Sequence, residues 1–97
     1  MSNEIDTARI RRTARQIRSI AAAVGEIAAD DLGALQKGVE GNFEGEAAQA
    51  LREKLDELRG DVEGVRGGLN AVCRELLAYA ARLDEADREA ARMIESK

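Results

Sequence analysis

Apolar residues recur through the second half of the chain at alternating spacings of three and four. In heptads counted from residue 48, every a and d position up to residue 93 is apolar or is the single Tyr. The a positions are Ala48, Leu55, Val62, Leu69, Leu76, Leu83 and Ala90, and the d positions are Leu51, Leu58, Val65, Val72, Tyr79, Ala86 and Met93. This period of 3.5 predicts one long helix over about residues 45–94, packed along that seam.

The first half carries a wider apolar stripe, which predicts a helix over about residues 3–38. The stripe comprises Ile10, Ala14, Ile17, Ala21, Val24 and Ala28, flanked by Ile20 and Ile27. Its register then shifts by four residues, so that Leu32, Leu35 and Val39 continue it past Asp31. A stripe of this width indicates that the helix packs against more than one neighbour.

The glycine-rich stretch between the two patterns predicts a turn over about residues 39–44. Gly38 and Gly41 suit the left-handed end of a helix, and Asn42 suits the start of the next one. Phe43 is expected to pack over the ends of both helices, with Gly45 leaving room for it. So short a connection makes the helices antiparallel, and the predicted fold is all-α: one helical-hairpin domain over residues 1–97.

A two-helix hairpin buries little apolar surface by itself, which predicts that this chain dimerises into a four-helix bundle. The partner is either a second copy or a related hairpin, since both close the bundle. The residues expected in the dimer or bundle core are Ile17, Val24, Leu51, Leu55, Leu58, Leu69 and Leu76.

Composition narrows the function classes. Charged residues make up 35% of the 97 residues and aromatic residues 2%, which suits long helices and offers no stacking surface for nucleic acid. The net charge of −4 also has the wrong sign for a nucleic-acid binder. With no His and one Cys, no catalytic, cofactor-binding or metal-binding residue is expected, and the chain is not predicted to be an enzyme.

Membrane insertion is not expected either, because no apolar run approaches the length of a membrane span. The Ala-rich run after Arg18 is followed at once by Glu26 and two aspartates, so no cleavable signal peptide is expected.

Three further features have two interpretations each. The arginines of the first helix pair either with the acids of residues 84–89 or with a partner. Cys73 is either a small buried side chain or an interchain disulfide. Gly60, Gly64 and Gly68 form either a smooth strip for a close partner helix or a weak point that can break the helix.

The sequence Phe43-Glu44-Gly45 lies in a mid-chain turn between two amphipathic helices. In these features the chain resembles the small WXG (ESAT-like) proteins of type VII secretion, whose turn carries Trp-x-Gly. The resemblance implies synthesis in the bacterial cytoplasm and secretion without a cleavable signal peptide. It also implies pairing with a related hairpin or a toxin's N-terminal domain, and recognition by a secretion ATPase.

Members of that family usually carry a Tyr-x-x-x-Asp/Glu export signal near the end of the second helix. Here Tyr79 is followed at the fourth position by Leu83, with Asp84 one residue late, and Leu83 has Asp87 at the family spacing. These four residues form the candidate export signal. The departure points towards a protein that targets a larger toxin, and the alternative is a cytosolic coiled-coil adaptor or secretion chaperone that is not exported. A membrane-active effector is a third interpretation.

Overall fold

The computed structural model describes residues 4–95, and all of these except Phe43 and Glu44 are helical. The first arm consists of α1 (Glu4–Glu26), a π-helical segment (Ile27–Asp31) and α2 (Leu32–Asn42). The second arm is α3 (Gly45–Glu95). The all-α, antiparallel two-helix hairpin is confirmed, while its dimerisation stays a prediction. The expected helix start near residue 3 lies outside the described residues.

The chain divides into two compact units, and that it forms a single domain stays a prediction. Unit 1 combines Met1–Ser19 with Asn70–Lys97. In it α1 and α3 run antiparallel, because Arg11 bonds to Asp84 whereas the later residue Arg18 contacts the earlier residue Cys73. Among the described residues, the buried side chains of unit 1 are Thr7, Ala14, Cys73 and Ala80.

Unit 2 comprises Ile20–Leu69 and contains the turn. Gly25 lies against Arg66, and Gln36 accepts a hydrogen bond from the guanidinium of Arg59 at 2.9 Å, so these arms are also antiparallel. A methyl group at Gly25 would lie 3.2 Å from Cδ of Arg66, which shows how closely that side chain crosses the first arm. The buried side chains of unit 2 are Ala21, Ala28, Leu32, Ala48 and Leu55.

The turn is shorter than expected, since α2 continues to Asn42. Gly38 and Gly41 are not left-handed, and Asn42 is not a helix start: its amide donates to the carbonyl oxygen of Gly38 at 2.8 Å. The helix ends because Phe43 is extended (φ −131°, ψ 149°), although its N–H still donates to the carbonyl oxygen of Val39 at 3.0 Å.

Gly45 is the one described residue with a left-handed backbone (φ 67°), and nothing lies within 4 Å of the position of a Cβ. Its role is therefore conformational, and not the close approach that the sequence suggested. Gly45→Ala is expected to lower the free energy of unfolding by about 1–2 kcal/mol. Gly64→Ala, in open space inside α3, should raise it by up to about 1 kcal/mol. Denaturant unfolding of both variants measures the two effects, and the same sign for both would contradict this assignment.

Two details of the arms bear on the surfaces described below. α3 is unbroken from Gly45 to Glu95, so the glycines of residues 60–68 do not divide it into two helices. The predicted register shift of the first arm coincides with the π-helical segment, whose wider turn takes up one additional residue.

Candidate partner-binding face

Only part of the a/d seam faces the other arm of the same chain. In unit 2, Leu55 at an a position is 8% exposed, whereas Leu58 at the next d position is 47% exposed. In unit 1 the deeply buried residues Cys73 and Ala80 occupy e positions, and their neighbours Val72 and Tyr79 at d positions are exposed. The intrachain contact therefore uses a and e positions, and the large d side chains remain on the surface.

Small side chains dominate the buried contact. Thr7, Ala14, Ala21 and Ala28 recur every seven residues along the first arm, and Ala48 and Ala80 are buried on α3. Ala14 and Ala80 are 0% exposed. Contacts made by alanine bury little apolar area per residue, and eight Leu, Ile and Val side chains of the described residues remain exposed.

The exposed apolar residues of unit 2 lie on one side of the contact. Ile20 and Ile27 immediately precede the buried alanines Ala21 and Ala28, which places them about 100° around the helix. On α3, the exposed residues Leu51 and Leu58 follow the buried residues Ala48 and Leu55 by three positions. This spacing rotates them about 60° from the buried residues, in the same sense as on the first arm. Because the arms are antiparallel, rotation in the same sense about each helix axis moves the exposed residues of both arms to the same side of the contact. The unit 2 apolar face comprises Ile20, Ile27, Leu51, Leu58 and Val65.

Unit 1 has a corresponding surface. Its apolar face comprises Val72, Leu76 and Tyr79 on α3, with the half-buried Ile10 and Ile17 on α1. An open groove on α3 is lined by Val72, Glu75, Leu76, Ala78, Tyr79 and Arg82. The guanidinium carbon of Arg82 lies 5.7 Å from the centre of the Tyr79 ring, at cation–π distance. Arg82 was missed in the sequence, although its spacing of three from Tyr79 places both on one helix face.

The seven residues expected in the core therefore have different environments. Leu55 is buried, whereas Ile17, Val24, Leu69 and Leu76 are half-buried, and Leu51 and Leu58 are exposed. That they form the core of a dimer stays a prediction.

Phe43 does not form a buried clamp over both helices, because it is 47% exposed. Its ring lines an open groove along the end of the first arm, together with Asp31, Ala34, Leu35, Gly38, Val39 and Asn42. Most of this lining is apolar. The groove thus adds an aromatic side chain and two aliphatic ones, Leu35 and Val39, to the accessible apolar surface of unit 2.

The candidate export signal is mostly engaged inside unit 1. Tyr79 is exposed, but Leu83, Asp84 and Asp87 are half-buried. The guanidinium of Arg11 donates a hydrogen bond to the carboxylate of Asp84 and forms an ion pair with it. This hydrogen bond is the main cause that holds the pKa of Asp84 below its usual 3.8, with a smaller contribution from the side chain of Thr7. Tyr79 is thus the one exposed member of the four.

Because the pKa of Asp84 is lower in the folded state, its ionised carboxylate stabilises the fold at pH values above the ordinary pKa of 3.8. This stabilisation is lost as the pH falls from 3.8 through the folded-state pKa. Asp84→Asn is therefore expected to lower the melting temperature at neutral pH. The difference from the wild type should narrow in acid. Thermal unfolding across that pH range is the measurement, and a difference that does not change with pH would contradict the ion pair.

Most of the other charges do not bridge the arms. Glu85 and Glu89 pair with Arg88 and Arg92 of α3 itself. Among the described residues Arg11 alone of the α1 arginines forms an ion pair, so pairing with the acids of residues 84–89 is observed for one arginine of the cluster. The other arginines of α1, Arg9, Arg12, Arg15 and Arg18, are exposed.

Cys73 is 2% exposed, and its Sγ lies 3.3 Å from the carbonyl oxygen of Ala14, to which the thiol donates. This packing favours the interpretation of Cys73 as a small buried side chain over an interchain disulfide. Within residues 4–95 no group of three His, Cys, Asp or Glu side chains is placed to hold a metal ion. No helix in that range is long and apolar enough to cross a membrane.

A family profile described as "Proteins of 100 residues with WXG" matches residues 3–88. The chain belongs to the WXG100 family. Comparisons with curated proteins and with solved structures returned no match. The motif of the family is represented by Phe43-Glu44-Gly45, in which Phe replaces Trp.

Membership of the WXG100 family identifies the chain as a small helical protein associated with type VII secretion. WXG100 proteins typically pair with related helical proteins, and they are not known enzymes. The apolar faces of both units are the surfaces of this WXG100 chain that suit such a pairing.

Because Phe43 is about half exposed, its truncation is expected to lower the stability of the fold only moderately. Truncating a buried Phe costs about 3–5 kcal/mol, so Phe43→Ala should lower the free energy of unfolding by only about 1–2 kcal/mol. Phe43→Trp should be neutral for folding, since the open groove accepts a larger ring and restores the WXG100 aromatic. Denaturant unfolding checks both variants. A loss as large as that of a buried Phe would contradict the open groove.

Proposed function

We propose that this WXG100 protein is a pairing subunit of a type VII secretion system, exported together with another helical hairpin or with a larger toxin that it targets. The observation that carries the proposal is the exposure of large apolar side chains on the same side of both arms, while alanines form the intrachain contact. Contiguous apolar surface of this kind marks protein–protein contacts in soluble proteins.

A second helical hairpin fits these surfaces better than a globular ligand does. Leu51, Leu58 and Val65 repeat every seven residues along α3, which is the spacing at which a neighbouring helix inserts its own side chains. In unit 1, Val72 and Tyr79 continue the same spacing. Their period matches two packed helices and supports closure of a four-helix bundle.

The environment of the candidate export signal supports export together with a partner. Asp84 is held by Arg11, and Leu83 and Asp87 are half-buried, so of the candidate signal Tyr79 is the most accessible. A secretion ATPase that reads an aromatic residue and an acid would find the acid occupied here. The partner then supplies the missing part of the signal. The route requires no cleavable signal peptide and begins in the bacterial cytoplasm.

The same occupied acid favours a second candidate, a cytosolic adaptor or secretion chaperone that binds its client and stays behind. The pairing surfaces would serve this function equally well. The two candidates differ in one observable, the location of the chain after its partner has been exported.

The experiment follows the chain and its partner in a bacterium with a type VII system and in the same strain lacking the ATPase. We expect the chain in the medium of the first strain and its retention by the second. Export of the partner with retention of the chain would favour the chaperone. Retention of both in the presence of the ATPase would overturn the secretion function.

A further inference from the structure

A groove of about 240 Å³ lies between α1 and α3 in unit 1, and three arginines of α1 line it. This arginine groove is lined by Arg11, Arg15, Arg18, Ala14, Cys73 and Leu77. Arg15 follows the buried residue Ala14 by one position, a rotation of about 100° around the helix. Ile17 of the apolar face follows Ala14 by three positions, a rotation of about 60° in the other sense. The arginine groove and the apolar face therefore lie on opposite sides of the contact between the two helices.

The positive charge of the arginine groove is only partly balanced within the chain. Arg11 forms its ion pair with Asp84, whereas Arg15 and Arg18 are exposed and form no ion pair with any described residue. The sequence explains this difference, because residues 7–25 contain no Asp or Glu that could pair with them along α1. Like charges at spacings of three and four disfavour a helix. An anion in the groove would relieve that repulsion.

Two of the three guanidinium groups are already held in place. The carboxylate of Asp84 binds Arg11, and Nη2 of Arg18 lies 3.7 Å from Sγ of Cys73, which is a weak acceptor. A guanidinium carries five N–H donors, so each of these contacts leaves donors for a ligand. Side chains that are held before binding lose less conformational freedom when the ligand arrives.

We propose that the arginine groove binds the phosphate group of a small phosphorylated molecule. The planar guanidinium groups of Arg15 and Arg18 donate to the phosphate oxygens in the paired geometry that suits phosphate, and Arg11 adds positive charge at the end of the groove. The apolar surface of Cys73 and Leu77 then receives the carbon skeleton that carries the phosphate.

A free molecule fits this groove better than a lipid headgroup in a membrane. The exposed apolar side chains Val72 and Tyr79, which could enter a bilayer, lie on the opposite side of unit 1. For the same reason the site does not depend on the proposed pairing function. A chain paired through its apolar faces would still present the arginine groove to solvent.

The test is an NMR titration of the full chain with inorganic phosphate and with propyl phosphate. Both should give saturating shifts at the Nε–Hε groups of Arg15 and Arg18 and at the backbone amides of Cys73 and Leu77. The dissociation constant for inorganic phosphate is expected to be about 1 mM. Propyl phosphate should bind at least about threefold more tightly, because its carbon atoms cover the apolar part of the groove.

Two double variants separate the groove from the general charge of α1. Arg15→Gln with Arg18→Gln should weaken the binding of both probes at least about tenfold, because it removes the charged donors. Arg9→Gln with Arg12→Gln is the matched control, since it removes the same charge from exposed positions of the same helix outside the groove. It should change the affinity less than about twofold. Circular dichroism checks that all variants keep their helices, and the shifts at Cys73 and Leu77 locate the site without any variant.

Three results would overturn the proposal. Shifts of the wild type that do not saturate would show that no defined site exists. Equal weakening by the two double variants would show that phosphate responds only to the overall charge of α1. Binding to phosphatidylglycerol vesicles without binding of either soluble probe would assign the arginines to a membrane surface instead.

None of these results bears on pairing, which is measured separately by sedimentation.

Discussion

Leu58→Asp is expected to abolish pairing while the separate chain keeps its helices. Leu58 is 47% exposed on the unit 2 apolar face, so the new carboxylate remains in water within one chain. In a pair it would be buried without a partner, at a cost of about 3–5 kcal/mol, which raises the dissociation constant at least about 100-fold. Sedimentation equilibrium measures the loss of pairing, and circular dichroism measures the retained helicity.

Leu55→Asp is the matched control, three residues earlier on the same helix. Leu55 is 8% exposed and faces the first arm, so its replacement buries a charge inside the chain and should lower helicity as well as pairing. Retention of pairing by Leu58→Asp would show that the d positions do not form the partner-binding face. Equal loss of helicity in both variants would show that both leucines belong to the same internal contact.

The second large effect is expected at Ala80, which is 0% exposed where α3 meets α1 in unit 1. Ala80→Leu adds a branched side chain to a contact without space for it, and overpacking of this kind costs about 1–3 kcal/mol. We expect a fall in melting temperature of about 10 °C, measured by thermal unfolding.

The adjacent change Ala81→Leu provides the control, because residue 81 is exposed on the same helix. Leu and Ala have similar helix propensities, so this variant should change the free energy of unfolding by no more than about 0.5 kcal/mol. Similar melting temperatures for the two variants would contradict the close alanine contact.

Strict periodicity made the helices predictable. Apolar residues at a and d positions from residue 48 to residue 93 leave no other regular structure for that segment, and the lone glycines do not interrupt it. Packing along the arm outweighs the propensity cost of Gly60, Gly64 and Gly68.

The turn was located by composition. The length of the turn was not predictable from composition, because glycine adopts helical and left-handed backbone conformations equally well. In the structure the helix continues through Gly38 and Gly41.

Which seam residues face the other arm and which remain exposed was not predictable from the same pattern. A heptad seam looks alike whether its partner is the other arm or another chain, and Leu55 and Leu58 are the same residue type at neighbouring seam positions. Side-chain volume is the property that distinguishes the internal contact. Ala14, Ala21 and Ala28 recur every seven residues where the arms meet, and small residues permit the closest approach of two helices.

Reliance on alanine for the internal contact has a consequence for the life of the protein in the cell. Since each buried methyl group contributes little, we expect the unpaired chain to open more often than a protein of this length with a leucine core. Proteases that cleave opened chains remove unpaired copies, whereas association withdraws copies from degradation by mass action. We therefore expect the steady-state amount of this protein to depend on the fraction that is paired as well as on its rate of synthesis.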